Sequence, residues 1–328
     1  MLNLLIFLTA PLCITSYDTK EEFFNLREHN YCDLRCYETK TKFKVNVACG
    51  CEKVTPRLGL KVLNSTFGFR EAILDKLNQF RNKIASGSTD MPAGADMMVL
   101  NYDVGLEYSA ACILKRAQSA GMDLCTRNKN HEALGNFPVM LMPEDKSWMI
   151  NNIADAMAFL DQKLDDCLQT LNPEQMDKTG QDPYLENELQ FCFQLIFSKH
   201  FKIGCARSVE PGQSVGRRMR IYCLLASWEG SVAAYRPGVQ LYSKGPGCSE
   251  CPSPYFWELD DPECNKQYTS LCGKLAPVPT YYWKDAPQAV PDPWVVYPEN
   301  STATQNGVFT TLPAVCGLLV LLHPGNQV

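Results

Sequence analysis

Histidine is scarce in this chain: His29, His131, His200 and His323 are the four in 328 residues. So small a supply leaves little material for a catalytic or metal centre built on several imidazoles. No H-E-x-x-H, P-loop or G-x-G-x-x-G occurs, which removes the sequence signs of zinc proteases, phosphate-cradling loops and dinucleotide binding. Charge is spread thinly, with 31 Lys and Arg against 36 Asp and Glu for a net charge of -5. No basic stripe is present to neutralise phosphates, so no nucleic-acid partner is expected. Long apolar runs are missing too. The two apolar runs at the chain ends, Met1–Ser16 and Leu312–Leu322, are too short for a membrane-spanning helix.

Cysteine, by contrast, is plentiful. The chain has sixteen, which points to an oxidising compartment. Met1–Ser16 agrees: an apolar run closing on small residues reads as a secretory signal, although no Lys or Arg marks its start. Cleavage near Ser16 would remove Cys13. Setting Cys13 and Cys316 aside leaves fourteen cysteines, enough for seven bridges. Cys32, Cys36, Cys49 and Cys51 lie in Tyr31–Cys51, with little hydrophobic periodicity around them. Cys248, Cys251, Cys264 and Cys272 lie among Gly and Pro in Tyr242–Cys272. Both groups read as disulfide modules. Zinc is the alternative, but Cys-x3-Cys followed by Cys-x-Cys is poor zinc spacing. Cys205 and Cys223 fall on two short strands, Ile203–Cys205 and Arg220–Leu225, joined by the turn-rich Glu210–Arg217. Cross-strand cysteines in such a hairpin reach disulfide distance.

Three helical patterns complete the outline. Ile73, Leu77, Phe80 and Ile84 recur at steps of three or four, with Gly87 as a C-cap. Leu106, Ala110, Ile113 and Leu114 form a second stripe. Ile153, Met157, Leu160, Leu164, Cys167 and Leu168 form a third within Trp148–Leu171, its acidic face (Asp161, Asp165, Asp166) solvated. Leu189–Phe197 is aromatic and reads as buried, a further strand is expected through Ala226–Ala234, and Ala276–Pro298, rich in Pro, Tyr and Trp, reads as an extended tail.

Within Ile73–Arg116 the order of particular residues says more than the periodicity. Asn78 and Arg81, Ala85 and Gly87, Pro92 with Ala93 or Ala95 and Met97–Met98, then Leu100, Tyr102, Asp103 and Leu106 follow N-x-x-R, A-x-G, P-x-A-x-x-M and L-x-W/Y-D-x-x-L in sequence. The stretch resembles the CAP superfamily (SCP/TAPS) and, within it, the insect antigen 5 or venom-allergen-like branch. Tyr31-Cys32 with Cys36, Ile203-Gly204-Cys205 with Cys223, and Gly245, Cys248, Ser249, Cys251, Tyr268, Leu271 and Cys272 are further matches, so the resemblance runs from Tyr31 to Cys272. It implies an α+β fold, the CAP-type α-β-α sandwich. With the signal peptide over 1–16 and the tail over 276–328 read from the residues, the expected parts between them are a cysteine-rich extension over 17–68, a CAP domain over 69–236 and a cysteine-rich hinge over 237–275. The resemblance also implies a Cys32–Cys49 bridge, and partners in the main domain for Cys36 and Cys51, with Cys112 and Cys125 as candidates. The family's usual cysteine falls where Ala117 stands, nearly one and a half turns beyond Cys112, which leaves that pairing open.

Many CAP domains carry a cleft with two His and two acidic residues, a donor set suited to a divalent ion. In this chain the late His position is Phe191, three residues before Gln194. The acid of the family's G-E-N falls at Asn136, and the acid of the third helix at Gln162, after Phe159. The resemblance therefore implies a degenerate tetrad, with no catalytic residue, no metal ligand and no cofactor. His131 and His200 read as surface or hydrogen-bonded histidines, and Phe191 and Phe193 make the old cleft more apolar. The implied function is that of a secreted, monomeric, non-enzymatic protein binding a protein or a small lipid or amine. The alternatives are a divalent-metal hydrolase or protease, and a surface adhesion protein. The latter would be anchored by a GPI signal through Leu312–Leu322, with Ser301–Gly307 supplying the small residues and spacer; a free tail is the other reading. Asn64 and Asn300 head N-glycosylation sequons. The family's habits include mating secretions, saliva and venom, and nothing in these residues chooses among them.

Overall fold

The computed structural model describes residues 30–37, 42–56, 58–63, 65–116, 125–126, 134–141, 153–171, 173, 191–211, 217–227, 239–252 and 263–280. For 37, 134–141, 153, 210–211 and 217–218 it describes the backbone alone. The elements in chain order are β1 (Cys36–Tyr37), β2 (Phe43–Lys44), a 3-10 turn (Cys51–Lys53), β3 (Lys61–Leu63), α1 (Phe67–Ala85), β4 (Asn101–Tyr102), α2 (Val104–Arg116), β5 (Leu134–Leu141), α3 (Ile153–Thr170), β6 (His200–Pro211) and β7 (Arg217–Ser227). The class is α+β. Asn64, Asn300, His29, His131, His323, the signal segment and the chain beyond 280 lie outside the described residues.

Helix α1 is built by local chemistry at both ends. Thr66 caps its start, Oγ1 accepting from the Phe69 amide at 3.3 Å. Its end is a Schellman motif: Gly87 N–H bonds Ile84 O at 2.9 Å and Ser88 N–H bonds Lys83 O at 3.2 Å, with Gly87 at φ 73. Between them Ile73, Leu77, Phe80 and Ile84 are all buried. Each such side chain contributes about 1.5–3 kcal/mol relative to exposure. Helix α2 begins at Asp103, whose Oδ1 accepts from the Leu106 amide at 2.8 Å. It is buried from Val104 to Lys115, so the single apolar stripe expected there is too narrow; a helix packed on all sides buries Glu107, Tyr108 and Ser109 as well. The third helix is described over Ile153–Thr170 and buries Met157, Leu160, Leu164 and Cys167; residues 148–152 of the expected pattern lie outside the described residues.

The main sheet runs β3-β6-β7-β5, with β4 joined to β6. Every pair is antiparallel except β4 with β6. β7 occupies one side of β6, so β3 (beside residues 207–209) and β4 (beside 202–203) share the other. The β6–β7 ladder extends from His200 opposite Ser227 to Pro211 opposite Arg217, well beyond the two short strands the sequence marked. The strand expected through Ala234 is described only to Ser227, where β7 ends. Helix α2 packs on β6 and β7. Gly204 permits this approach: a Cβ there would collide with the Asp103 carbonyl and the Glu107 amide at the start of α2.

Six disulfides bind this framework among the described residues. Cys32–Cys49, Cys36–Cys125 and Cys51–Cys112 secure the N-terminal segment. Cys112 meets Cys51 with Cα atoms 5.6 Å apart, which closes the pairing that the sequence leaves open. Its face of α2 looks onto that segment. Lys115 and Arg116, three and four residues on, bond the carbonyls of Cys51, Val47 and Cys49. Cys205 and Cys223 are direct partners in the β6–β7 register, 4.0 Å apart at Cα. Cys251 pairs with Cys272. Cys167–Cys192 ties α3 to the helical residues 191–196; the sequence pattern showed Cys167 only as part of an apolar stripe. Each bridge contributes on the order of 2–4 kcal/mol, chiefly by restricting the unfolded chain. One expectation is corrected: Cys248 and Cys264 stand as thiols. Residues 276–280, the described start of the tail, carry no helix or strand and lie along the domain, the Ala276 amide donating to Asn101 Oδ1 at 2.5 Å and Arg70 Nη1 to Pro279 O at 2.6 Å. Among the described residues no helix is long and apolar enough to cross a membrane.

Candidate functional site

The three positions at which the resemblance expects acid or base groups fall on three elements. Asn136 lies in β5, within a register irregularity between Gly135 and Val139 opposite β7. Gln162 is exposed on α3, next to Asp161, which Lys76 of α1 holds at 2.6 Å. Phe191 is half-buried at the first of the helical residues 191–196. An amide and a phenyl ring neither take nor give a proton near neutral pH, so Gln162 and Phe191 supply no acid–base pair. Phe193 is fully buried, which corrects the expectation that it lines a cleft.

The segment behind Phe191 is organised by one cation. Arg81 of α1 is fully buried and its guanidinium donates to the carbonyls of Met98 (3.1 and 2.9 Å), Leu195 (2.6 Å), Phe197 (3.0 Å), Ser198 (3.4 Å) and His200 (3.2 Å). Five N–H groups in a rigid fork suit such a cage, and no other side chain has them. One turn earlier Asn78 clamps the backbone of Leu100, accepting from its amide at 2.8 Å and donating to its carbonyl at 3.0 Å. These two motif residues therefore do backbone work that the loop around 91–100 cannot do for itself.

His200, the one histidine among the described residues, is buried in this core as the first residue of β6. Nε2 lies 3.1 Å from Gln194 Oε1, and Nδ1 lies 3.0 Å from Ser227 Oγ. Because the amide oxygen only accepts, Nε2 carries the hydrogen and Nδ1 accepts from the serine hydroxyl. Burial, and secondarily the Arg81 charge, hold its pKa well below the ordinary value. The order Ser227, His200, Gln194 has the outline of a catalytic triad. Its chemistry is wrong for one: Gln194 has no charge to stabilise an imidazolium, and both Ser227 and His200 are sealed from solvent. Gly212-Gln213-Ser214-Val215-Gly216 matches G-x-S-x-G in sequence. It connects β6 to β7, two hairpin strands, whereas a nucleophile elbow needs a strand-to-helix turn.

A second buried charge pair joins α1 to α2. Arg70 Nε and Nη2 bond Glu107 Oε2 and Oε1 at 2.8 and 2.9 Å. Tyr102 donates its hydroxyl to Glu107 Oε2 at 2.7 Å and accepts from the Cys205 amide at 3.2 Å. Burial pushes the Glu107 carboxyl up and Arg70 pulls it back. The arrangement is a saturated structural network with no open valence toward solvent.

The hinge presents the remaining chemistry. The sulfurs of Cys248, Cys251 and Cys272 lie within 4.8 Å of one another. Cys264 is in hydrogen-bonding contact with Cys248, and its backbone forms an isolated antiparallel β-bridge with that of Cys272. The Cys251–Cys272 disulfide packs with Met98 and Phe201. Beside Cys264 opens a cleft of about 520 Å³ whose lining includes Glu263, Asn265, Lys266, Gln267 and Lys274. With two of the four sulfurs already bonded to each other, the group is not a ready zinc site, since metal binding needs thiolates.

No protein-family model matches the chain, and a search of curated proteins finds no match. Among solved structures, the hookworm platelet inhibitor matches with a TM-score of 0.41 and 17% identity over 62% of this chain and 89% of that one. BmVAL-1 matches with a TM-score of 0.41 and 18% identity over 63% of this chain and 93% of that one. At these scores neither likeness assigns a family or an activity.

Proposed function

We propose that this chain is a secreted, disulfide-stapled protein of the CAP type, antigen 5-like, with the α-β-α sandwich of that family, and that it acts by binding rather than by catalysis. The observation that carries the reading is the chemistry at the three expected tetrad positions: Asn136, Gln162 and Phe191 supply no acid, base or imidazole. The described histidine, His200, is engaged by Gln194 and Ser227 inside the core. The N-x-x-R pair supports the resemblance independently, because Asn78 and Arg81 perform the backbone-holding work described above. The occupant is a protein or a small lipid or amine; among the described residues Phe193 lies in the core and Phe191 is half-buried.

The test is metal content and zinc calorimetry on the full secreted chain. The expected result is no stoichiometric metal and no binding heat. One tightly bound zinc per chain would overturn the reading and put a divalent-metal hydrolase in its place. A GPI anchor through Leu312–Leu322 predicts release of surface protein by a phospholipase specific for such anchors, whereas a free tail predicts soluble protein from the outset.

A further inference from the structure

We propose that the strip between β4 and the start of α1 is a peptide-binding groove, that its ligand is an extended proline-containing segment, and that this chain's own residues 274–280 occupy it as a tethered competitor. The support is the path of the chain as it leaves the hinge, which is independent of the tetrad positions.

The segment leading into β4 is met by hinge backbone. Cys272 N–H bonds Met97 O at 2.8 Å and Val99 N–H bonds Cys272 O at 2.9 Å, with Met98 and Cys272 in a parallel bridge. Residues 274–280 carry no helix or strand, and two side chains take over their placement. Asn101 donates from Nδ2 to Lys274 O at 3.1 Å and accepts at Oδ1 from the Ala276 amide at 2.5 Å. Arg70 Nη1 donates to Pro279 O at 2.6 Å. All three bonds go to backbone, so they fix an extended path and leave sequence to be selected by packing. That packing has a period. Leu275 and Val278 are half-buried, whereas Ala276 and Pro277 between them are exposed, as in a polyproline II segment with three residues per turn. Pro277 and Pro279 suit the path, because the ring presets φ and neither has an N–H to leave unpaired.

The groove's anchors are held by the domain and not by the strap. Glu107 grips Arg70 Nε and Nη2 at 2.8 and 2.9 Å, which leaves Nη1 aimed at the groove. Asn101 is fixed in β4, paired with Lys202 of β6. Donors set in advance lose little freedom when a ligand arrives. The strap itself starts from a fixed point. Cys272 is bridged to Cys251, and Gly273 is bonded at both its amide and its carbonyl, to Glu263 O at 2.9 Å and Asn265 Nδ2 at 3.0 Å. A segment so closely tethered is present at an effective concentration of about millimolar or more. A foreign peptide of equal intrinsic affinity is therefore shut out. It enters when the chain is cut at the start of the strap, or when it binds the groove about a hundred-fold more tightly than the strap does.

A site-specific protease sequence is inserted between Gly273 and Lys274 of the full chain and cut under native conditions, with circular dichroism recorded before and after. The probe is a fluorescent peptide of residues 274–280. The expected result is a folded cut protein that binds the probe about a hundred-fold more tightly than the uncut protein, the ratio of a millimolar effective concentration to a dissociation constant of about 10 μM. A probe carrying P277G and P279G should bind about ten-fold more weakly, since it must be ordered from a looser chain. In the parent chain the Ala276 amide should exchange hydrogen slowly, and Asn101→Ala should speed that exchange by about ten-fold. No binding to the cut protein at millimolar probe, equal binding before and after the cut, or loss of the fold on cutting would each overturn the proposal. So would exchange at Ala276 that is indifferent to Asn101→Ala, a measurement that needs no insertion and stands even if the inserted chain does not fold.

Discussion

Replacing Glu107 by glutamine keeps the side chain's shape and removes its charge. The Arg70 guanidinium it faces is about 1% exposed and is held by two parallel bonds of 2.8 and 2.9 Å. In the Glu107→Gln variant one oxygen still accepts, but the new amide N–H₂ meets either an arginine N–H or the Tyr102 hydroxyl, which already donates at 2.7 Å. A buried cation then lacks its counter-charge. Removing one partner of such a pair costs about 3–5 kcal/mol, against a total stability of about 5–15 kcal/mol for a typical domain. Urea unfolding of the disulfide-intact protein, followed by circular dichroism, reads this directly. With a slope of about 2 kcal/mol per molar urea, the midpoint should fall by about 2 M. The double variant R70M/E107L removes both charges and should recover most of the loss, since a buried pair replaced by apolar groups is often neutral. A loss below about 1 kcal/mol for E107Q is the value for an exposed pair. It would mean that water reaches the pair and that α1 and α2 are not packed as described.

Three further outcomes follow from the same core. Gly204→Ala forces a Cβ onto the Asp103 and Glu107 backbone, so the melting temperature should drop by the equivalent of about 1–3 kcal/mol or more; an unchanged melting curve would contradict the close approach of α2 to β6. Asn78→Leu leaves the Leu100 amide and carbonyl unpaired in the interior and should cost about 1–3 kcal/mol in the same measurement. His200 has its folded pKa lowered by burial, so the unfolded state binds the proton more readily. Its contribution to stability is therefore intact above about pH 6.5 and is lost as pH falls below that value, by up to about 1.4 kcal/mol per pH unit. The stability difference between the parent and His200→Gln should narrow by that slope on acidification, and a pH-independent difference would refute the buried neutral imidazole.

Local periodicity and short-range chemistry are readable in the sequence. The stripe Ile73, Leu77, Phe80 and Ile84, the Gly87 stop and the Cys205/Cys223 hairpin each depend on residues close in sequence or on one cross-strand pair. What the sequence hides depends on long-range approach. Arg70 and Glu107 sit 37 residues apart on different helices, and no periodic signal marks either as a buried ion. Only the even count of fourteen cysteines hints at Cys167–Cys192, because a cysteine on an apolar helix stripe reads as one more small hydrophobe. His200 reads as a surface or hydrogen-bonded histidine and is sealed at the start of a strand. Its carbonyl is one of the five that Arg81 gathers, a three-dimensional arrangement that the N-x-x-R spacing cannot show. The thiol state of Cys248 and Cys264 is likewise beyond composition, since cysteine counting gives the number of bridges that are possible, never which sulfurs meet.

The residues that match the CAP pattern and those that depart from it differ in the kind of work they do. Asn78 satisfies a donor and an acceptor of one backbone unit, Arg81 gathers five carbonyls, and Gly204 makes room for α2. Replacing any of them strands buried polar groups or creates a clash, each worth kilocalories. Gln162 faces solvent, and the half-buried Phe191 stands at the first of the helical residues 191–196. Substitution at such positions leaves the scaffold's energy nearly unchanged. A chain can therefore keep this architecture at full stability while its acid–base groups are exchanged for amides and aromatics. The same separation explains why a resemblance carried by scaffold residues predicts the path of the backbone better than it predicts chemistry at the surface.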